Sequence, residues 1–282
     1  MAAFVNEAVR QLKYLQRVVA FVDILGFGAL VKRADGDPTL RERIFGVLQN
    51  VHAFAAPTES NTDFKAQNFS DSLIISATNT ADGLWHVLFS LSDLAINLLE
   101  IGVVVRGGVT VGGIHHDGDV VFGLGVNEAY RLESTIAAVP RIVLGATALS
   151  AANQYATQHE IWGTYRSSRL LRDRDGVWFL NIFCELGIFS RQGGMLEEHP
   201  LYQRGTVIRE AIQAQIDSTI DQPDVYEKLR WLASYWNREV GQGMAKFIQP
   251  MLPGVTLAGD ELRQRPLPFS ANFPPKMDGA DE

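Results

Sequence analysis

The chain has 282 residues, 46% of them hydrophobic and 20% charged, an ordinary globular composition with ample material for a sizeable core. Its 25 basic and 32 acidic residues leave a formal charge of −7, which argues against a general affinity for nucleic-acid backbones or anionic membranes, since both need clustered positive charge. The single cysteine, Cys184, permits no internal disulfide. Residues 1–13 lack the basic start and apolar stretch of a leader, and the longest apolar helix candidate, 84–99, carries His86 and Asp93, so a cytoplasmic protein is expected.

Residues 17–23 (RVVAFVD) form a β-branched and aromatic run that empties into Gly26 and Gly28, the pattern of a buried strand followed by a turn into a helix. Ile44, Val47, Leu48 and Val51 make a helical stripe over 40–54, and residues 69–76 (FSDSLIIS) read as strand. Leu84, Leu88, Leu91, Ala95 and Leu98 recur at helical spacing until Gly102, before a strand at 103–111. Residues 115–118 read as a solvated turn, 120–122 as strand, 127–136 as helix, and 139–144 and 177–183 as later strands. Adjacent His115 and His116 would point to opposite faces of a strand, so they are not expected to share a metal.

The alternation β-α-β-β-α-β predicts an α+β fold, a ferredoxin-like split βαβ domain with an appended C-terminal helical segment. The expected division is 1–16 as an N-terminal segment, 17–185 as the main α+β domain, 186–262 as the helical appendage and 263–282 as a flexible tail. In the appendage 202–216 and 225–240 read as helices, the second with Leu229, Leu232 and Trp236 on one side. Trp178, Trp231 and Trp236 are expected to pack between the appendage and the rest.

Three constellations carry chemistry. In FVDILGFG (21–28) Asp23 ends a strand before a glycine-bearing turn, where a carboxylate can bind a hard divalent cation and the backbone N–H groups of the turn can hold phosphate oxygens. The alternative, which this motif taken alone favours, is that Asp23 merely caps a helix. In FSDSLII (69–75) Asp71 lies in an otherwise apolar hairpin, either paired with a cation or facing water in the turn. The third is RGGVTVG (106–112) followed by GLGVNEAYRL (123–132). Asn127 and Arg131 project from one helix face there, an amide and a guanidinium suited to ribose and phosphate.

Together these blocks resemble the catalytic domain of the class III nucleotidyl cyclases over residues 17–185, in the right order. The resemblance implies that Asp23, Asp71 and the carbonyl of Ile24 bind two Mn²⁺ or Mg²⁺ ions per site, and that Asn127 orients the ribose while Arg131 stabilises charge on the α-phosphate. It further implies nucleotide contacts at Phe21, Leu25, Gly26, Phe27, Gln67, Arg106 and Val120, and a homodimer with shared active sites.

The chain departs from the purine cyclases, which read their base with a Lys and an Asp or with a Glu and a Cys-type residue. Offsets from Asp71 and Gly123 place Gln67 and Val120 at those positions. The lysine expected to meet the terminal phosphates is absent from DGVWFLN (175–181), leaving Arg172 or Lys32 as substitutes. These features are similar to those of the bacterial pyrimidine cyclases of the Pycsar antiphage systems, whose cyclic product activates a separate effector protein. The expectation is therefore a uridylate cyclase acting on UTP, with CTP, a purine nucleotide, or a catalytically silent nucleotide-binding dimer as alternatives; neither nucleic acid nor membrane is an expected partner.

Overall fold

The apolar run at 17–23 is the middle of a longer strand, β1 (Leu15–Leu25), in a computed structural model that describes residues 13–53, 63–118, 120–158, 160–191, 197–219 and 221–241. Side chains alternate across this strand. Val18, Ala20, Val22 and Ile24 enter the main core, while Val19 and Phe21 belong to a small cluster on the opposite face. Gly26, at φ 74°, turns the chain into α1 (Phe27–Asp35), and α2 (Pro38–Ala53) follows.

The segment expected as one strand at 69–76 is a hairpin: β2 (Lys65–Phe69), a turn at Ser70 and Asp71, and β3 (Ser72–Thr78). Helix α3 (Ala81–Leu99) starts where the Thr80 hydroxyl accepts from the Gly83 amide, as an N-cap does. Strand β4 (Val104–Asp117) is longer than expected and contains His115 and His116, so the solvated turn expected at 115–118 is corrected: Asp117 pairs with Val120 of β5 (Val120–Phe122), and His116 is buried. The strand keeps going because β1 pairs with it as far as Leu15↔Ile114 and β5 takes over from His115↔Phe122 to Asp117↔Val120, whatever the polarity of its end.

Helix α4 (Leu124–Arg131) continues into one wider, π-helical turn (Leu132–Ile136). Then come β6 (Ile142–Leu144), α5 (Ala146–Ala156), α6 (Glu160–Arg169), β7 (Leu170–Arg172), β8 (Trp178–Leu180), α7 (Cys184–Arg191), α8 (Pro200–Ser218) and α9 (Pro223–Trp236). The strands expected at 139–144 and 177–183 are thus shorter than their apolar runs, and Cys184 begins a helix.

The sheet order is β2-β3-β1-β4-β6-β8-β7, with β5 paired to the far end of β4. Its first four strands are antiparallel in the order β4-β1-β3-β2, which is the split βαβ arrangement of the expected α+β fold. Helices α1, α2, α3 and α5 cover one face and α4 packs on the other.

The C-terminal helical segment is present and does not stand apart from the sheet. Val143 and Phe179 from β6 and β8 share a core with Phe183, Ile208, Ile212, Leu229, Leu232 and Trp236. Trp231 packs edge-on against Phe179, so Trp231 and Trp236 tie the C-terminal helices to the sheet. The tail expected at 263–282 lies outside the described residues, as does most of the N-terminal segment.

Candidate metal and nucleotide site

The strand register places Asp23 beside Ser72 of β3 on one side and Arg106 of β4 on the other. Cross-strand partners share a face, so Phe69, Ser72, Asp23 and Arg106 form one row across four strands and Gln67, Ile74, Phe21 and Gly108 the next. The ladder between β1 and β3 ends where the Ile24 amide donates to the Asp71 carbonyl (2.8 Å). That bond pins the hairpin turn to the end of β1. Asp71 is exposed there, and its charge, together with burial as the larger cause, raises the pKa of the partly buried Asp23; Arg106 opposes both.

Asp23 does not cap α1. The N-cap is Gly26, with no side-chain cap bond; the amides of Ala29 and Leu30 turn back to its carbonyl (both 3.0 Å). The amides of Phe27 and Gly28 therefore open the helix toward the β1 end, the geometry in which a helix start binds an anion.

Arg106 sits between two carboxylates. Its Nε is 3.5 Å from Asp23 Oδ2 and 2.5 Å from Glu133 Oε1. The closer approach is an ion pair without a well-directed hydrogen bond, since neither atom finds a partner in bonding geometry. Glu133 was not among the sequence candidates. It lies in the π-helical turn, 2% exposed, and burial raises its pKa against the lowering effect of Arg106.

The glycines of 106–112 have a positional meaning. A Cβ on Gly108 would collide with the Ala129 carbonyl and Leu132, and one on Gly112 would sit 2.8 Å from Gly125 Cα. Their absence lets α4 lie directly on β4. Its outward face presents Asn127 and Arg131, both exposed, as the sequence spacing predicted. Arg131 holds Glu128 at two points (2.7 and 2.8 Å), which lowers the glutamate's pKa and raises its own. Tyr130, next to them, packs edge-on against Phe21 with ring centroids 5.2 Å apart.

No family model and no curated protein matches the chain. Among solved structures it is similar to the catalytic core of a rhodopsin-guanylyl cyclase with converted specificity in complex with ATPαS, at 14% identity and TM-score 0.42, covering 60% of this chain and 96% of that one. It is similar as well to an adenylate/guanylate cyclase/hydrolase from Silicibacter pomeroyi (18%, TM-score 0.37, 60% and 96%). A bacterial light-regulated adenylyl cyclase gives 16%, TM-score 0.37, 70% of this chain and 57% of that one. At such identities and TM-scores the likeness assigns neither substrate nor activity to this chain.

Of the remaining sequence candidates, Gln67 lies in the Phe21 row, on the sheet face that carries Asp23. Gln67 is half-buried in β2, and two residues before it Lys65 donates to the His116 carbonyl (2.6 Å) and lies 3.7 Å from Asp117, the register partner of exposed Val120. The structure thus brings Gln67's strand against the hairpin that carries Val120. Of the two substitutes for the missing lysine, Arg172 donates to the Gly176 carbonyl within its own hairpin and Lys32 is exposed in the last turn of α1.

Among the described residues no three His, Cys, Asp or Glu side chains converge as a metal cage, and no helix is long and apolar enough to cross a membrane. A two-carboxylate site still fits Mg²⁺ or Mn²⁺, because such ions are commonly held by one or two carboxylates and complete their coordination with phosphate and water. The observation that favours the fit is geometric: the Ile24 amide bond to the Asp71 carbonyl holds the exposed Asp71 turn at the end of β1, beside the partly buried Asp23.

Proposed function

We propose that this chain is a metal-dependent nucleotidyl cyclase that works as a homodimer and converts UTP to 3′,5′-cyclic UMP and pyrophosphate. The supporting observation is the pinning of the Asp71 turn to the end of β1 beside Asp23, on the face where α4 presents Asn127 and Arg131.

In this reading Asp23, Asp71 and the Ile24 carbonyl hold two Mn²⁺ or Mg²⁺ ions, which supply charge neutralisation and activation of the ribose 3′-hydroxyl when bound. The 3′-oxygen forms a bond to the α-phosphorus as the bond to the pyrophosphate oxygen breaks, so the protein supplies position and compensating charge. Leu25, Gly26 and Phe27 line the phosphate end at the start of α1, with Arg106 behind them. Asn127 orients the ribose of the nucleotide held opposite, and Arg131 releases Glu128 to meet the α-phosphate. Phe21, Gln67 and Val120 meet the base, whose recognition then rests on one neutral amide and one aliphatic group rather than on a charged pair. That neutrality departs from both purine codes, and the resemblance to the pyrimidine cyclases favours UTP. The same resemblance suggests that the cyclic product serves antiphage defence and is read by a separate effector.

Purified protein supplied with each of the four ribonucleoside triphosphates and Mn²⁺ tests the reading. Cyclic UMP as the main product supports it, cyclic CMP in its place overturns the choice of UTP, and purely purine products overturn the pyrimidine assignment. A second reading, a catalytically silent nucleotide-binding dimer, is favoured by the two-point bond that occupies Arg131. Pyrophosphate release that disappears in Asp71→Asn eliminates it.

A further inference from the structure

Glu133 touches no exposed surface, yet it sits at the end of a charge chain that leads to the proposed metal site. The Arg106 guanidinium is shared between a completely enclosed carboxylate at 2.5 Å and Asp23 at 3.5 Å, and the nearer pair lacks a directed hydrogen bond. A pair built for stability would be aligned, since good geometry is what compensates the desolvation of buried charges. The contact is also located where the helix departs from α geometry: the Ala137 amide bonds the Leu132 carbonyl five residues back, the widened turn that carries Glu133 against the sheet. Such turns recur at functional sites.

Coulomb attraction falls with distance, so the nearer carboxylate dominates the guanidinium's position. Were Glu133 neutral, Arg106 would have one anionic partner left and would close on Asp23. A cation approaching Asp23 would then compete with a resident guanidinium. We infer that Glu133 is a positioning residue that holds Arg106 off Asp23 and so keeps the Asp23 carboxylate available to a divalent cation. The inference rests on the cyclase reading of Asp23 and Asp71 as metal ligands.

Mn²⁺ titration of the nucleotide-free protein, followed by electron paramagnetic resonance of the free ion, tests it without any catalytic readout. Glu133→Gln is expected to weaken Mn²⁺ binding by about tenfold, the scale on which groups behind metal ligands act. Adding Arg106→Met to that variant removes the competitor and should return the affinity to the wild-type value, whereas a merely structural role for Glu133 predicts no recovery. Glu133→Asp keeps the charge and should stay near wild type, which serves if the glutamine variant fails to fold. An unchanged affinity in Glu133→Gln, or a double variant as weak as the single one, overturns the inference. Wild-type binding that Asp23→Asn leaves intact overturns the metal reading itself, and the inference with it.

Discussion

Asp23 and Arg106 are register partners on β1 and β4 with their charged groups 3.5 Å apart, yet the aspartate's pKa is raised rather than lowered, because burial outweighs the guanidinium and Asp71 adds to it. The fold therefore disfavours the ionised form that a metal site needs. Sites kept for chemistry at the expense of stability show this signature. Asp23→Asn is expected to leave the melting temperature unchanged or raise it, by up to about 1 kcal/mol of stability, while abolishing nucleotide-dependent pyrophosphate release. A drop in melting temperature of more than a few degrees would mean that Asp23 serves the fold.

Close approach of α4 to β4 yields a second expectation. Gly108→Ala places a methyl group against the Ala129 carbonyl and 2.5 Å from Leu132 Cβ, where nothing flexible can move aside. Overpacking of this kind costs about 1–3 kcal/mol. The helix must lift, and Asn127 and Arg131 lift with it, so activity should fall even at temperatures where the variant is fully folded. Circular dichroism melts read beside turnover at 15 °C below the midpoint separate the two effects.

Much of the fold was legible in the sequence, as were the residues proposed for the candidate site, for reasons that differ by element. The runs that became β1 and α3 carry a clear period because each buries an apolar face, and Asp23 and Asp71 stand out as carboxylates beside apolar strand residues, the first within β1 and the second in the turn before β3. Helices α5 and α6 were missed: α5 is seated through Ala148, Ala151, Ala152 and Tyr155, so small residues replace the apolar stripe. The polar end of β4 misled because β1 and β5, not its own residues, fix it as strand. Glu133 gave no signal at all. An acid at a helix end reads as solvated, and its partner, Arg106 of β4, is distant in sequence.

His116 gives a pH prediction. Burial first, then Arg17 and Lys65, lower its pKa to about 4 against a weaker opposing effect of Asp63, while Nδ1 bonds Ser76 Oγ at 2.8 Å. The unfolded chain takes up this proton near 6.5 and the folded one only near 4, so the contribution is complete above about pH 6.5 and is lost as pH falls through that window. The raised carboxylates Asp23 and Glu133 act in the opposite sense. Comparing wild type with His116→Gln cancels them: the difference in stability should narrow by roughly 1–2 kcal/mol between pH 7 and 5. Parallel pH profiles for the two proteins would refute the account.

A partly buried aspartate adds a polar tie to the shared core that holds the C-terminal helices. Asp173 accepts from Arg141 (2.6 Å) and from Trp231 Nε1 (2.9 Å), joining the β7–β8 hairpin, the segment before β6 and α9. Trp231→Phe keeps the ring against Phe179 and removes only the second bond. A loss of about 1–2 kcal/mol is expected, within the range for hydrogen bonds to charged groups. Urea unfolding should remain a single transition, because these helices share a core with β6 and β8; two separated transitions would show them to be an independent unit.

The proposed dimer makes the sharpest demand. Leu124 is 78% exposed, Val120 55%, Tyr130 53% and Phe122 40%, all around the helix that presents Asn127 and Arg131. Apolar groups gathered in this way around one helix suit burial against a second copy. Leu124→Asp should therefore shift the protein toward monomer in light scattering and lower activity in proportion. Shared sites also predict complementation. Asp71→Asn and Asn127→Ala are each expected to be inactive alone, but in a mixed dimer one site receives both defects and the other neither. Random exchange makes half of the dimers mixed, each with one of its two sites intact, so an equal mixture should recover about a quarter of wild-type activity. If each chain held a whole site by itself, mixing would restore nothing.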